Sequence, residues 1–308
     1  MATTGISTFN LDVNDLIEEA FERCGLELRT GYDFRTARRS LNLLTIEWAN
    51  KGINLWTVEQ GQIPMVTGQA IYPLPVDTID LMDSTIRQNN GTTNQIDITI
   101  SRISEPTYMT IPNKLTQGRP IQVWINRQSG QTSETGVSVA AAVSATDTTI
   151  TVSNAANLAT AGFVKIGNET ISYPNVSGNQ LINCARGQNG TTAATHAIGD
   201  ILSVQNLPSI NVWPTPSAPG NQYTFVYYRL RRIQDAGTGV YVQDIPFRFI
   251  PCMVAGLAYY LSMKLPGVDP NRSVMLKAEY NEQFDLAAQE DREKAPLRIV
   301  PRNMSYVR

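Results

Sequence analysis

The chain has 308 residues, 42% of them hydrophobic, and a formal charge of −2 at pH 7. That length buries a core with ease and allows two domains, and the composition excludes global disorder. A charge so near zero argues against a protein that grips nucleic acid by neutralising phosphates, though not against one that lets nucleic acid slide past.

The three cysteines, Cys24, Cys184 and Cys252, are an odd set without metal-ligand spacing. They are expected reduced and buried, as in a chain made in a cytoplasm. The opening MATTGISTFNLDVND has neither the basic nor the apolar region of a signal peptide. The longest apolar run, 249–263, is too short for a bilayer and reads as a buried helix.

In chain order, the first predicted helix places Val13, Leu16, Ile17, Ala20, Phe21 and Cys24 on one face, with Glu18, Glu19, Glu22 and Arg23 opposite and Gly25 as its stop. The second runs from about Asp33, expected as its N-cap, to Lys51, with Phe34, Ala37, Leu41, Leu44 and Trp48 inward. Arg35, Arg38 and Arg39 cluster on its first half. Such a cluster is more often a solvated or ion-paired face than a binding patch. Short strand patterns follow at 55–58, 62–66, 70–74, 78–86, 95–103 and 121–126, with a turn at 89–94.

The texture then changes. Between 136 and 207 only Asp147, Lys165, Glu169, Arg186 and Asp200 are charged, and five short strand patterns alternate with Gly/Asn turns. This reads as a small all-β module set into a surface hairpin, because strands resume at 209–213 and 222–231. Asp244–Pro246 is expected to open a helix reaching about Lys264, with Pro251 early in it or bending it. Asp269–Pro270 opens the last helix, lined by Leu276, Tyr280, Phe284 and Ala287.

The expected fold is therefore α+β. A discontinuous helical bundle (1–52 and 240–295) has Leu16, Phe21, Leu41, Leu44, Trp48 and Leu257 in one core. It is joined by an antiparallel β platform (53–128 and 208–239), an inserted small all-β module (129–207) and an extended C-terminal tail (296–308). Trp124, Trp213 and Tyr227 are the platform's interface candidates, since aromatics are enriched at interfaces.

No catalytic pattern stands out. His196 is the only histidine, in a loop between strands, and a lone histidine without a second ligand or nucleophile is most often structural. No glycine-rich loop joins a strand to a helix. We expect no enzyme, no metal and no cofactor.

The stretch DVNDLIEEAFERCGLELRTGYDFRTARRSLNLLTIEWANKGINLW (12–56) resembles the N-terminus of the head-to-tail adaptor proteins of short-tailed bacteriophages, also called tail tubular protein A or gatekeeper. INVWPTPSAPGNQYTFVYYRLR (210–231) resembles that family's unit of strand, Trp-Pro-x-Pro, turn and strand. DIPFRFIPCMVAGLAYYLSMKL (244–265) resembles its buried helix. The insertion is a departure, since shorter adaptors lack it; 163–202 separately resembles small β modules grafted into other phage structural proteins. The weight lies in the order and spacing of these segments.

The resemblance implies a podovirus virion protein of the tail and neck, made in the host cytoplasm. Twelve copies would form a head-tail connector ring under the portal protein and bridge to the tail nozzle protein. The ring would enclose part of the channel through which double-stranded DNA passes, without sequence-specific binding, during ejection. The inserted module would be free to meet tail fibres, and no membrane is involved. The tail residues Pro296, Leu297, Arg298, Ile299, Val300, Pro301 and Arg302 are expected to pack on the portal or a neighbouring copy, since an extended apolar–basic segment can add as a strand or fill a groove. The competing readings are a tail fibre or receptor-binding component, and a capsid-decorating or carbohydrate-binding protein.

Overall fold

A computed structural model of the chain describes residues 5–6, 8–52, 55–128, 131–220 and 222–291. The protein is mixed α+β. Its described helices are α1 (Val13–Cys24), α2 (Gly31–Asn50), α3 (Glu105–Met109), α4 (Ile250–Ser262) and α5 (Pro270–Glu290). The chain divides into two compact units, Met1–Thr57 with Ile233–Arg308, and Val58–Arg232.

In the first unit, α1 starts at Asp12, whose carboxylate accepts the Asp15 N–H. α2 starts earlier than the sequence pattern suggests. Thr30 is the N-cap: its hydroxyl accepts the Asp33 N–H at 3.2 Å, and the Asp33 carboxylate accepts the Thr30 N–H at 3.1 Å. Asp33 is thus the third-position partner of a capping box rather than the cap. α4 starts later than expected. Phe247–Phe249 forms a 3-10 turn, and the helix begins at Ile250 with Pro251 in its first turn, where a missing N–H costs nothing. α5 opens as expected, with Asp269 capping and Pro270 next.

Helices from both ends of the chain share one apolar core. Leu16, Phe21, Leu41, Leu44, Trp48 and Leu257 are buried together with Met253, Leu261 and Tyr280. The packing is close at Gly256: a Cβ there would lie 2.9 Å from both Leu44 methyls and from the Tyr280 ring. Bare backbone at this point of α4 lets α2 and α5 press against it.

The second unit holds α3 and all the described strands. Those before the seam are β1 (Val58–Pro64), β2 (Ile71–Pro73), β3 (Thr78–Gln88), β4 (Ile96–Thr99), β5 (Ser101–Arg102), β6 (Gln117–Gly118) and β7 (Gln122–Asn126). The inserted stretch contributes β8 (Thr132–Ser138), β9 (Ile150–Thr151), β10 (Gly162–Ile166), β11 (Glu169–Tyr173), β12 (Asn175–Ser177), β13 (Gln180–Ile182), β14 (Ala185–Gln188) and β15 (Ile201–Gln205). After it come β16 (Ser209–Trp213), β17 (Thr215–Pro216) and β18 (Tyr223–Arg231).

Two four-stranded sheets, β1-β18-β3-β4 and β2-β16-β7-β5, bury a shared core of Tyr72, Leu81, Ile86, Val123, Ile210 and Phe225 among others. Strands β8 to β15 have a core of their own, from Val137 to Leu202, in a five-stranded sheet β14-β11-β10-β15-β8 and a three-stranded sheet β12-β13-β9. The seam between these parts is one rung of a ladder. Asn126, the last residue of β7, pairs with Ser209, the first of β16. The inserted stretch therefore occupies the place of a hairpin loop.

In the second unit, too, details depart from the sequence reading. The patterns at 55–58 and 62–66 are a 3-10 turn and then one strand, β1, which runs on through Gly61. The 95–103 pattern splits into β4 and β5, which belong to different sheets. α3 and β8 were not expected: α3 is a five-residue helix, and Val137 alone is buried in β8.

Candidate interaction surfaces

His196 belongs to a buried charged cluster in the inserted stretch. Its Nε2 lies 2.7 Å from Oε2 of Glu169. Arg186 grips the same carboxylate with two parallel bonds of 2.8 Å. The backbone N–H groups of Gly187 and Ala194 each donate to it at 3.0 Å. The rest of the guanidinium is taken by the carbonyl oxygens of Ser144, Asp147 and Ala194. Burial alone would raise the Glu169 carboxyl above its usual range, but the Arg186, backbone and His196 hydrogen bonds outweigh it and hold it at about 2.

Both carboxylate oxygens are fully engaged, so this glutamate has no lone pair to offer a substrate. The cluster fastens the 186–196 loop onto β11. The sequence placed His196 as a lone structural residue; its two partners were visible only as two of the few charges in the stretch.

The thiols are equally closed. Burial pushes Cys24 up to about 11 and Cys184 and Cys252 up to about 12, so all three stay protonated near neutrality and are poor nucleophiles. Among the described residues, no group of three His, Cys, Asp or Glu could hold a metal ion.

The helical unit holds a second, half-buried carboxylate. Glu47 accepts hydrogen bonds from the Tyr260 and Tyr280 hydroxyls and pairs with Lys51 at 2.6 Å. Trp48 Nε1 donates to Tyr280 Oη at 3.2 Å. Burial pushes Glu47 upward, but Lys51 and the tyrosines together hold it below its ordinary value. Tyr280 is pushed up, first by burial.

Of the three aromatic interface candidates, two lie on a sheet face. In β7 and β16, Val123, Ile125, Ile210 and Val212 turn into the core, which leaves Trp124 and Trp213 on the opposite face. Trp124 stacks on Tyr108 of α3, ring centroids 5.4 Å apart, and Trp213 Nε1 donates to the Asn113 carbonyl at 3.0 Å. Both remain half-buried and pin the 104–116 segment to the sheet. Tyr227 is a correction. It is 4% exposed, because β18 lies inside its sheet with this face turned to the core. Its ring stacks on Phe225 and lies so close to Gly61 that a Cβ there would sit 2.3 Å from it. The interface candidates Pro296, Leu297, Arg298, Ile299, Val300, Pro301 and Arg302 lie outside the described residues.

The outer faces of α1 and α2 carry opposite charge. On α1, Asp15, Glu18 and Glu22 are exposed at i, i+3 and i+7, along a cleft of about 490 Å³ also lined by Phe9, Ile250 and Val254. On α2, Arg35 and Arg39 are exposed, with Arg38 half-buried beside them. With Tyr32 and Asn42 they line a depression of about 460 Å³. Such clusters are usually ion-paired, yet among the described residues none of these three arginines has an ion pair or side-chain hydrogen bond. Compared with known proteins, the chain matches no family model and no curated protein.

Proposed function

We propose that the chain is a structural virion protein of a short-tailed bacteriophage, a head-to-tail adaptor. In this reading twelve copies form a ring that joins the portal protein to the tail nozzle and encloses part of the DNA channel. The architecture in this reading is a discontinuous helical bundle, an antiparallel β platform, an inserted β module and an extended tail that reaches the portal or a neighbouring copy. The protein works by assembly and holds no cofactor.

One observation carries the reading. The two helical segments that resemble adaptors, 12–56 and 244–265, lie far apart in sequence, yet their buried faces meet in one core. An antiparallel β unit is strung between them. The near-zero charge agrees with a channel wall that must let DNA pass. The clusters that could have been catalytic are closed by their own hydrogen bonds, and this agrees with an assembly role.

The test is to mix the protein with the portal of the same virus and image the product in negative stain. The expected result is a ring with twelvefold symmetry seated on the portal. A trimer that ignores the portal would overturn the reading in favour of a fibre or receptor-binding component, to which the self-contained β core would then belong.

A further inference from the structure

We infer that the arginine stripe of α2 in one copy docks on the acidic stripe of α1 in a second copy of this chain. The inference deepens the ring reading by naming its lateral contact, but the association it describes needs no portal.

Charge complementarity carries the argument. Arg35, Arg38 and Arg39 face Asp15, Glu18 and Glu22 in number and in sign, and the exposed members of each set sit one helical turn apart. None of the six side chains forms an ion pair or hydrogen bond among the described residues, so nothing in the described part of the chain satisfies either stripe. α1 and α2 both spend their apolar faces on the core they share with α4. What they leave outward is charge bordered by apolar side chains.

On α2 the border is Tyr32, 66% exposed, with Leu43 and Ile46 further along the same face. On α1 it is Phe9, 78% exposed, beside the cleft. Arginine and aromatic residues together are the composition of an interface rather than of a solvated face. A nucleic acid would meet the arginines but be repelled by the acids of the same unit. A second copy meets both.

The two stripes are different surfaces, so each copy can give one and take the other. Such a head-to-tail contact is heterologous, and its repetition closes into a ring or runs on as a filament. Exposed charge pairs are individually weak and are screened by salt, so the stripes set register and orientation while the apolar borders add burial.

The test is sedimentation velocity of the full chain across a concentration series at low and high salt. The full chain is expected to associate at low salt, with the association constant falling about tenfold or more at high salt. Reversing one stripe (Arg35→Glu, Arg38→Glu and Arg39→Glu) or the other (Asp15→Lys, Glu18→Lys and Glu22→Lys) should give monomers with unchanged helical circular dichroism. An equal mixture of the two triple variants should associate again, because each supplies the complement of the other. So should the chain with all six changes.

Should a reversal unfold the chain, the neutral set Arg35→Gln, Arg38→Gln and Arg39→Gln takes its place and must show the same loss. A full chain that stays monomeric at low salt and the highest attainable concentration overturns the inference. So does association indifferent to both reversals, or a mixture that stays monomeric. A parallel titration with labelled duplex DNA separates the remaining case. If the arginine reversal abolishes DNA binding while self-association persists, the stripe is a nucleic-acid face and the inference falls. The portal takes no part in these measurements, so their failure leaves the adaptor reading standing.

Discussion

The helical unit and the inserted stretch each tie down a carboxylate, half-buried in the first and buried in the second, but they assemble its surroundings in opposite ways. Glu47 draws its partners from distant sequence: Tyr260 and Tyr280 come from the far end of the chain, and only Lys51 is local. Glu169 draws on Arg186, Gly187, Ala194 and His196, all within the same inserted stretch. The apolar cores follow the same division. One joins residues near 16 to residues near 257, whereas the other lies wholly between 137 and 202. The difference teaches which part can exist without the rest. A core made from one contiguous stretch carries its own information, while a core made from two chain ends exists only when both are present.

The sharpest way to break this comparison is truncation. A chain ending at Gln234 lacks α4 and α5, and so loses Met253, Leu257, Leu261 and Tyr280 from the helical core. α1 and α2 draw most of their stability from packing their apolar faces, so the helical unit should unfold. Protease protection of α1 and α2 in that chain would refute the shared core.

A smaller effect is expected at the buried ion pair. Arg186→Met leaves Glu169 without its main partner and should cost the inserted stretch about 3–5 kcal/mol, read from chemical denaturation. Pairing it with Glu169→Gln should recover part of the loss. A double-variant cost equal to the sum of the two single-variant costs would mean that the two residues do not act as a pair.

The pH dependence follows from the same carboxylate. Glu169 is held at about 2 in the folded state, below the ordinary value of 4.5. A depressed value binds protons less tightly in the folded state, so its stabilisation is fully present above pH 4.5 and is lost as pH falls towards 2. The shift corresponds to about 3 kcal/mol. Acid titration of the Glu169→Gln protein should lack that component, and an unchanged acid profile would count against it.

At Gly256 a methyl group would press on Leu44 and Tyr280, so Gly256→Ala should destabilise the helical unit by about 1–3 kcal/mol and leave the inserted stretch untouched. The smallest effect is expected from excision. Replacing 131–206 by a short Gly/Ser loop should change the unfolding free energy of the two sheets around β7 and β16 by about 1 kcal/mol or less. Collapse of those sheets on excision would show that the inserted stretch is needed for their fold.

Much of this fold was legible from local pattern. The apolar spacing of 13–24 marks α1 to the residue, and the run from Asp269 through Pro270 marks the start of α5. The seam was legible because low charge and dense turns at 136–207 contrast with the strands on either side. What stayed hidden depends on partners rather than spacing. Thr30 outranks Asp33 as a cap because the two bond reciprocally, and either residue alone looks suitable. Tyr227 reads as a surface aromatic until its strand is known to lie between two others. Glu169 and Arg186 are 17 positions apart, and the register of β11 against β14 brings them together. That Arg35, Arg38 and Arg39 have no ion pair among the described residues could not be read from sequence either, because it depends on which helices pack beside α2.

The rung between Asn126 and Ser209 also has a mechanical consequence. Tension drawn along the chain enters the β7–β16 ladder at Gln122 and leaves it at Trp213, and these two residues face each other at the end away from the seam. The ladder would open like a zipper from that end, and all five register pairs, ending with Asn126 and Ser209, must part before any pull reaches the inserted stretch. Until then that stretch is a slack branch of the polymer. It adds no length to a stretched molecule and bears no load, whatever its own strength. In a single-molecule extension trace its unfolding should therefore come after the opening of β7 from β16, as a separate and later step.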